Sequence, residues 1–106
     1  MMYYNIIFPK LPKASHFTHI TTLIFDNNDL STIVNVDFIL NLIDLFTNVS
    51  NFSFETCYLT EKTADYLYVQ LLNLHRQITN INLKNNNLLS EEMLEKFKNI
   101  NDKKTQ

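Results

Sequence analysis

This 106-residue chain has no glycine and no tryptophan, and it contains one cysteine, two prolines and no long uninterrupted apolar run. Each scarcity removes a class of function. Without glycine there can be no Gly-rich phosphate loop, because such loops need a backbone free of Cβ atoms close to the anion. A single cysteine, Cys57, cannot build a disulfide framework, which fits a reducing compartment. The most apolar segment, residues 33–46, is interrupted by Asn35, Asp37, Asn41 and Asp44 and is too short and too charged to cross a bilayer. The N-terminal stretch lacks a basic flank and its run Ile6, Ile7, Phe8 stops at Pro9, so it does not read as a signal peptide. A cytoplasmic location is therefore expected. Nine basic against eleven acidic residues give a net charge of -2, with no basic field for nucleic acid and no polybasic patch for a membrane surface.

What the chain does have is enough apolar content, 45% with 19% charged, for one small folded domain and not for a disordered one. Asparagine is abundant, with Asn85, Asn86 and Asn87 consecutive. Asn, Ile, Lys, Tyr and Phe share AT-rich codons, so the bias reports codon usage before chemistry. Asn also substitutes for glycine where a turn needs positive φ.

The chain repeats itself. Ile20, Leu23, Phe25, Asn28 and Leu30 recur as Val49, Phe52, Phe54, Cys57 and Leu59, and again as Ile78, Ile81, Leu83, Asn86 and Leu88. Both shifts are 29 residues, since 49 minus 20 equals 78 minus 49. The first half of each unit alternates as a half-buried strand does. Leu23, Phe25, Phe52, Phe54, Ile81 and Leu83 are expected inside. Outside, the alternation places Thr22, Ile24 and Asp26, then Asn51, Ser53 and Glu55, then Asn80, Asn82 and Lys84. After each strand a hydroxyl residue can cap a helix, at Ser31, Thr60 and Ser90, followed in the second and third units by Glu61, Glu91 and Glu92, which suit the positive end of a helix dipole. Strand and helix repeated in one direction require parallel strands.

The spacing L-x-x-L-x-L-x-x-N/C-x-L resembles the leucine-rich repeat, and the long period with a full helix is similar to its ribonuclease-inhibitor-like subclass. The resemblance implies an α/β fold, a short solenoid with parallel strands on a concave face and helices on a convex face. It divides the chain into an N-terminal cap segment, 1–19, and three repeats, 20–48, 49–77 and 78–106, the last acting as a C-terminal cap. In that subclass a small residue and two leucines come next on the helix, matched by Ala64, Leu67 and Leu71, and in part by Phe38 and Leu42 with Asn35 in the small position. Repeat three has Lys96 where a leucine is expected and offers Met93, Leu94, Phe97 and Ile100 as one apolar stripe, with a Glu92–Lys96 pair outside. The chain is expected to end as the protein ends, with a polar tail, 101–106, that frays. Helix one, by contrast, is apolar except for a stripe at Asp37, Asn41, Asp44 and Asn48, so residues 1–19 are its expected cover.

The resemblance also implies that Asn28, Cys57 and Asn86 form an inward column that satisfies loop backbone, which makes Cys57 structural and no nucleophile. His16 and His19 sit near metal-ligand spacing, but His75 is distant and no acidic or thiol cluster completes a set of three, so no metal and no cofactor is expected. Asp37 and Asp44 read as solvated helix face, not as an acid/base pair. The implied function is non-enzymatic protein–protein interaction through the nine outward strand residues. Two alternatives stay open: a structural homo-oligomer joined at the apolar N-terminal end, and a microbial effector engaging a protein of a host cell.

Overall fold

The computed structural model describes residues 18–104. The expected cover of helix one, apart from Thr18 and His19, and His16 lie outside that range. The described chain is a mixed α/β unit in which three short strands alternate with helices: β1 (Thr22–Ile24), α1 (Ile33–Leu45), β2 (Asn51–Ser53), α2 (Glu61–Leu72), β3 (Asn80–Asn82), α3 (Glu91–Lys98) and α4 (Ile100–Lys104). The strands form one parallel sheet in sequence order. Its register pairs Thr22 with Asn51 and Asn51 with Asn80, so the structural register equals the 29-residue sequence shift. No helix among the described residues is long and apolar enough to cross a membrane.

The core lies between sheet and helices. Leu23 and Phe52 point into it, as do Ile20, Val49 and Ile78, which enter the strands. Phe54 is fully buried and stacks on Phe25 at 5.6 Å and on Phe52 at 6.2 Å between ring centroids. The glycine-free turns after the strands place Asn27 (φ 65°), Thr56 (54°) and Asn85 (61°) in the left-handed region at equivalent positions, with Tyr58 (57°) beside them. Asn tolerates this region, whereas a β-branched Thr is strained there.

The helices depart from the sequence expectation in phase, and the cause is the cap. Thr60 and Ser90 cap α2 and α3 as expected, but α1 is capped by Thr32, whose side chain accepts from the Asn35 amide, and not by Ser31. Ser31 is held instead by Asp29, which takes both its amide and its hydroxyl. Counted from the cap, α1 buries Val36, Ile39 and Ile43 at four, seven and eleven places, as α2 buries Ala64, Leu67 and Leu71 from Thr60. Thr32 stands two places after Leu30, whereas Thr60 stands one place after Leu59, so counting from the strand-loop leucine misplaces α1 by one residue. Leu42 is buried as expected, but Phe38 is 43% exposed for this reason, and Val34 on the same helix is 76% exposed.

Unit three also differs. Met93, Phe97 and Ile100 are buried, but Leu94 is 36% and Leu88 66% exposed, while Ile81 and Leu83 are half-buried and not sealed in the core. No further unit covers them among the described residues. Lys96 pairs with Asp65 at 3.0 Å and lies over the Tyr68 ring at 4.9 Å, tying α3 to α2, while the expected partner Glu92 adds only a weaker attraction. Residues 100–104 are helical, not frayed. Asn101 exchanges two hydrogen bonds with the backbone of Ile78, and the Lys104 ammonium donates to the carbonyls of Leu71, Leu72 and Leu74. Arg76 serves α1 in the same way, donating to Phe46 O at 2.9 Å and Ile43 O at 3.3 Å. Each cation thus occupies the negative end of the helix one unit back, where terminal carbonyls lack amide partners. Burial pushes both cations below their ordinary pKa, with the nearby Arg76 adding to the effect at Lys104.

Candidate functional site

The nine outward strand residues do form one face. Its order comes from parallel pairing with a constant register, which puts Thr22, Asn51 and Asn80 in one column and Ile24, Ser53 and Asn82 in the next. Asp26, Glu55 and Lys84 continue the strands at their C-terminal ends. Asn80 and Lys84 are exposed, and the other seven are half-buried by their neighbours.

Hydrogen bonds run across this face from unit to unit. Asp26 Oδ1 accepts from Ser53 Oγ at 2.6 Å and from the Glu55 amide at 2.9 Å. Asn82 Nδ2 donates to Ser53 Oγ at 3.0 Å and to Glu55 Oε1 at 3.4 Å, and its Oδ1 accepts from the Lys84 amide at 3.0 Å. Asn51 Nδ2 reaches Thr21 O at 3.2 Å. Asp26, Ser53, Asn82 and Glu55 are therefore fixed against one another, so a partner meeting them finds rotamers already ordered.

Beneath the turns lies the second predicted set, and its members are not equivalent. Asn86 is buried and uses its whole amide: Oδ1 accepts from the amides of Cys57 (3.0 Å) and Leu59 (3.2 Å), and Nδ2 donates to Phe54 O (2.8 Å), Leu83 O (3.0 Å) and Lys84 O (3.3 Å). Cys57 is fully buried, and its thiol donates to Phe25 O at 3.2 Å, the carbonyl equivalent to the one Asn86 reaches a unit later. A thiol is a poor acceptor, and the Leu30 amide turns instead to the Cys57 carbonyl at 2.8 Å. Burial raises the pKa of this thiol, with Asp26 adding to the effect, which disfavours the thiolate a nucleophile requires. Asn28 breaks the expected pattern. It is exposed and donates to Phe25 O at 2.7 Å within its own turn, because no earlier described loop presents amides to its Oδ1.

The histidines do not converge: His19 and His75 are both exposed, and among the described residues no three His, Cys, Asp or Glu side chains could hold a metal ion. Asp37 is exposed yet not merely solvated, since it accepts a hydrogen bond from the Tyr66 hydroxyl of α2, which raises the tyrosine's pKa. Asp44 is exposed as expected.

Sequence reasoning missed Arg76, Lys104 and Asn101, whose partners are carbonyls and amides from a neighbouring unit or element. The one signal was the near-period spacing of 28 residues between Arg76 and Lys104. It also missed an open groove of about 1080 Å³ at the C-terminal end, running along β3 and the face of α3 that carries Glu91, Leu94 and Lys98. Comparisons with protein-family models, with curated proteins and with solved structures find no match.

Proposed function

We propose that the chain is a short leucine-rich-repeat solenoid of the ribonuclease-inhibitor-like kind, and that it works without catalysis, by holding another protein on the outward face of its sheet. The observation that carries this reading is the pre-ordered polar ladder from Asp26 through Ser53 to Asn82 and Glu55. Repetition of one 29-residue register brings equivalent positions of three units side by side, which is how repeat proteins build extended recognition surfaces. Asp26, Glu55 and Lys84 add charge at one end of the columns, where it selects among partners.

A binding role is favoured over chemistry because the side chains of Asp26, Ser53, Asn82 and Glu55 end on one another and on backbone amides, while the thiol is sealed beneath the turns. A cytoplasmic setting suits that unpaired thiol. The test is capture from the native cell with wild-type protein and with the double variant Glu55→Lys, Lys84→Glu as baits. A protein retained by the first and lost by the second, at unchanged melting temperature, supports the reading. A protein retained equally by both moves the interface off the sheet.

A further inference from the structure

The C-terminal end of the stack is a strand edge beside an open groove of mixed polar and apolar lining. In a parallel ladder alternate residues turn their backbone groups to opposite neighbours. Asn80, Asn82 and Lys84 bond toward β2, through Asn80 N to Ser50 O and through Asn82 O and Lys84 O to the amides of Phe54 and Thr56. The backbone groups of Ile81 and Leu83 consequently face away, toward the groove these residues line. Asn86 Nδ2 takes the Leu83 carbonyl, whereas among the described residues nothing takes the Ile81 amide and carbonyl or the Leu83 amide. Such edges are ordinarily blunted by shortness, a charge, a proline or a bulge; this one is short, at three residues, and has Lys84 at its end, but no proline interrupts Asn80, Ile81 and Asn82. Half-buried Ile81, Leu83 and Leu89 line the groove floor with Leu94 on its helical wall, and Leu88 is 66% exposed in the adjoining turn.

We infer that this end is an interface for a second copy of the chain, joined edge to edge through β3 about a two-fold axis. Charge selects both the occupant and the symmetry. Glu91, Leu94 and Lys98 stand at i, i+3 and i+7 on α3, hence on one face, and all three line the groove. A two-fold axis sets the two α3 helices antiparallel, which brings Glu91 of each copy to Lys98 of the other with Leu94 between. The same axis makes the β3 pairing antiparallel, so the open Ile81 groups find partners, and closure at two copies leaves no further edge at this end.

Head-to-tail stacking, the other way to extend the sheet, forms no such pair. Counted from the caps, Asp37 meets Tyr66 and Asp65 meets Lys96, in each case the fifth place of one helix against the sixth of the next. A copy added head to tail would set Glu95 against its Phe38, a carboxylate against an apolar ring, whereas the two-fold axis sets each Glu91 against a Lys98.

The experiment is sedimentation of the full chain over a concentration series, with circular dichroism as the check on folding. The wild type is expected to reach a mass twice 12.5 kDa and to go no higher. Leu88→Asp and Leu94→Asp should dissociate it. Lys98→Glu should weaken association by roughly tenfold or more, about 1.4 kcal/mol, and Glu91→Lys combined with Lys98→Glu should restore it, because the swap re-forms both pairs only under a two-fold. Both charged residues are exposed, so these variants keep the fold. A monomer up to about 1 mM, a mass that keeps growing beyond two, no rescue by the double swap, or loss of association in Val34→Asp but not in Leu94→Asp would each overturn the inference.

Discussion

Units two and three share one spacing, yet they bury different amounts of the same pattern. In unit two, which has a neighbour on both sides, Phe52, Phe54, Cys57 and Leu59 are all sealed. Their equivalents Ile81 and Leu83 are half-buried, Asn86 is buried, and Leu88 is largely exposed. The difference lies in the neighbours. A repeat's side chains are covered partly by their own helix and partly by the next unit, so its stability combines an intrinsic term with interface terms. Unit three has only one such interface among the described residues, and α4 with Lys104 and Asn101 compensates on the helical side alone.

The sharpest way to break this comparison is a pair of truncations at equivalent positions. Phe54→Ala, in a fully buried stack with Phe25 and Phe52, should cost about 3–5 kcal/mol in urea unfolding. Leu83→Ala should cost about 1–2 kcal/mol because half of that benefit is never realised in the folded state. Equal losses would mean that unit three is covered as fully as unit two.

The second contrast is within the Asn and Cys column. Asn86→Ala strips the acceptor from two buried amides and should destabilise by about 2–3 kcal/mol, whereas Asn28→Ala, at an exposed turn, should cost under about 1 kcal/mol. Thermal or urea unfolding of both variants measures the gap, and similar values would restore the equivalence that the spacing implies. In the same column, Cys57 should resist alkylation in the folded state and react after denaturation, since burial raises its pKa. Rapid labelling of the native protein would count against the sealed position.

A smaller effect tests the helical side of unit three. Deleting residues 104–106 removes the ammonium from the carbonyls of Leu71, Leu72 and Leu74 and should cost about 1 kcal/mol, in contrast to the frayed tail expected from its polar composition. Unchanged unfolding would return that segment to a passive role. The smallest effect is acidic. Ser31, chiefly through its hydroxyl and then its amide, holds the Asp29 carboxyl below its ordinary pKa. A depressed folded pKa means that its stabilisation is complete above the unfolded value, about 3.9, and disappears as pH falls through the folded value. Asp29→Asn should therefore flatten the melting temperature against pH only below about pH 4. An altered profile near neutrality would refute the assignment.

The strands and the order of the sheet were legible in the residues themselves. Period-two alternation fixes which side chains share a face, and an equal shift of 29 between units fixes the register, because a one-residue slip would exchange Leu23, Phe52 and Ile81 with the polar face. The helices were legible as helices but not in phase. Thr32, not Ser31, begins α1, and which hydroxyl wins depends on Asp29 having already engaged Ser31. Burial was legible least at the ends. Leu59 and Leu88 obey one spacing and differ in exposure from 0% to 66%, Asn28 and Asn86 differ likewise, and Arg76 and Lys104 find their partners only across units. Spacing is a property of one unit, and the sequence by itself therefore determined the strand faces, the register and the presence of the helices. Coverage is a property of adjacent units, and it was decided only where the tertiary structure places, or fails to place, a neighbour.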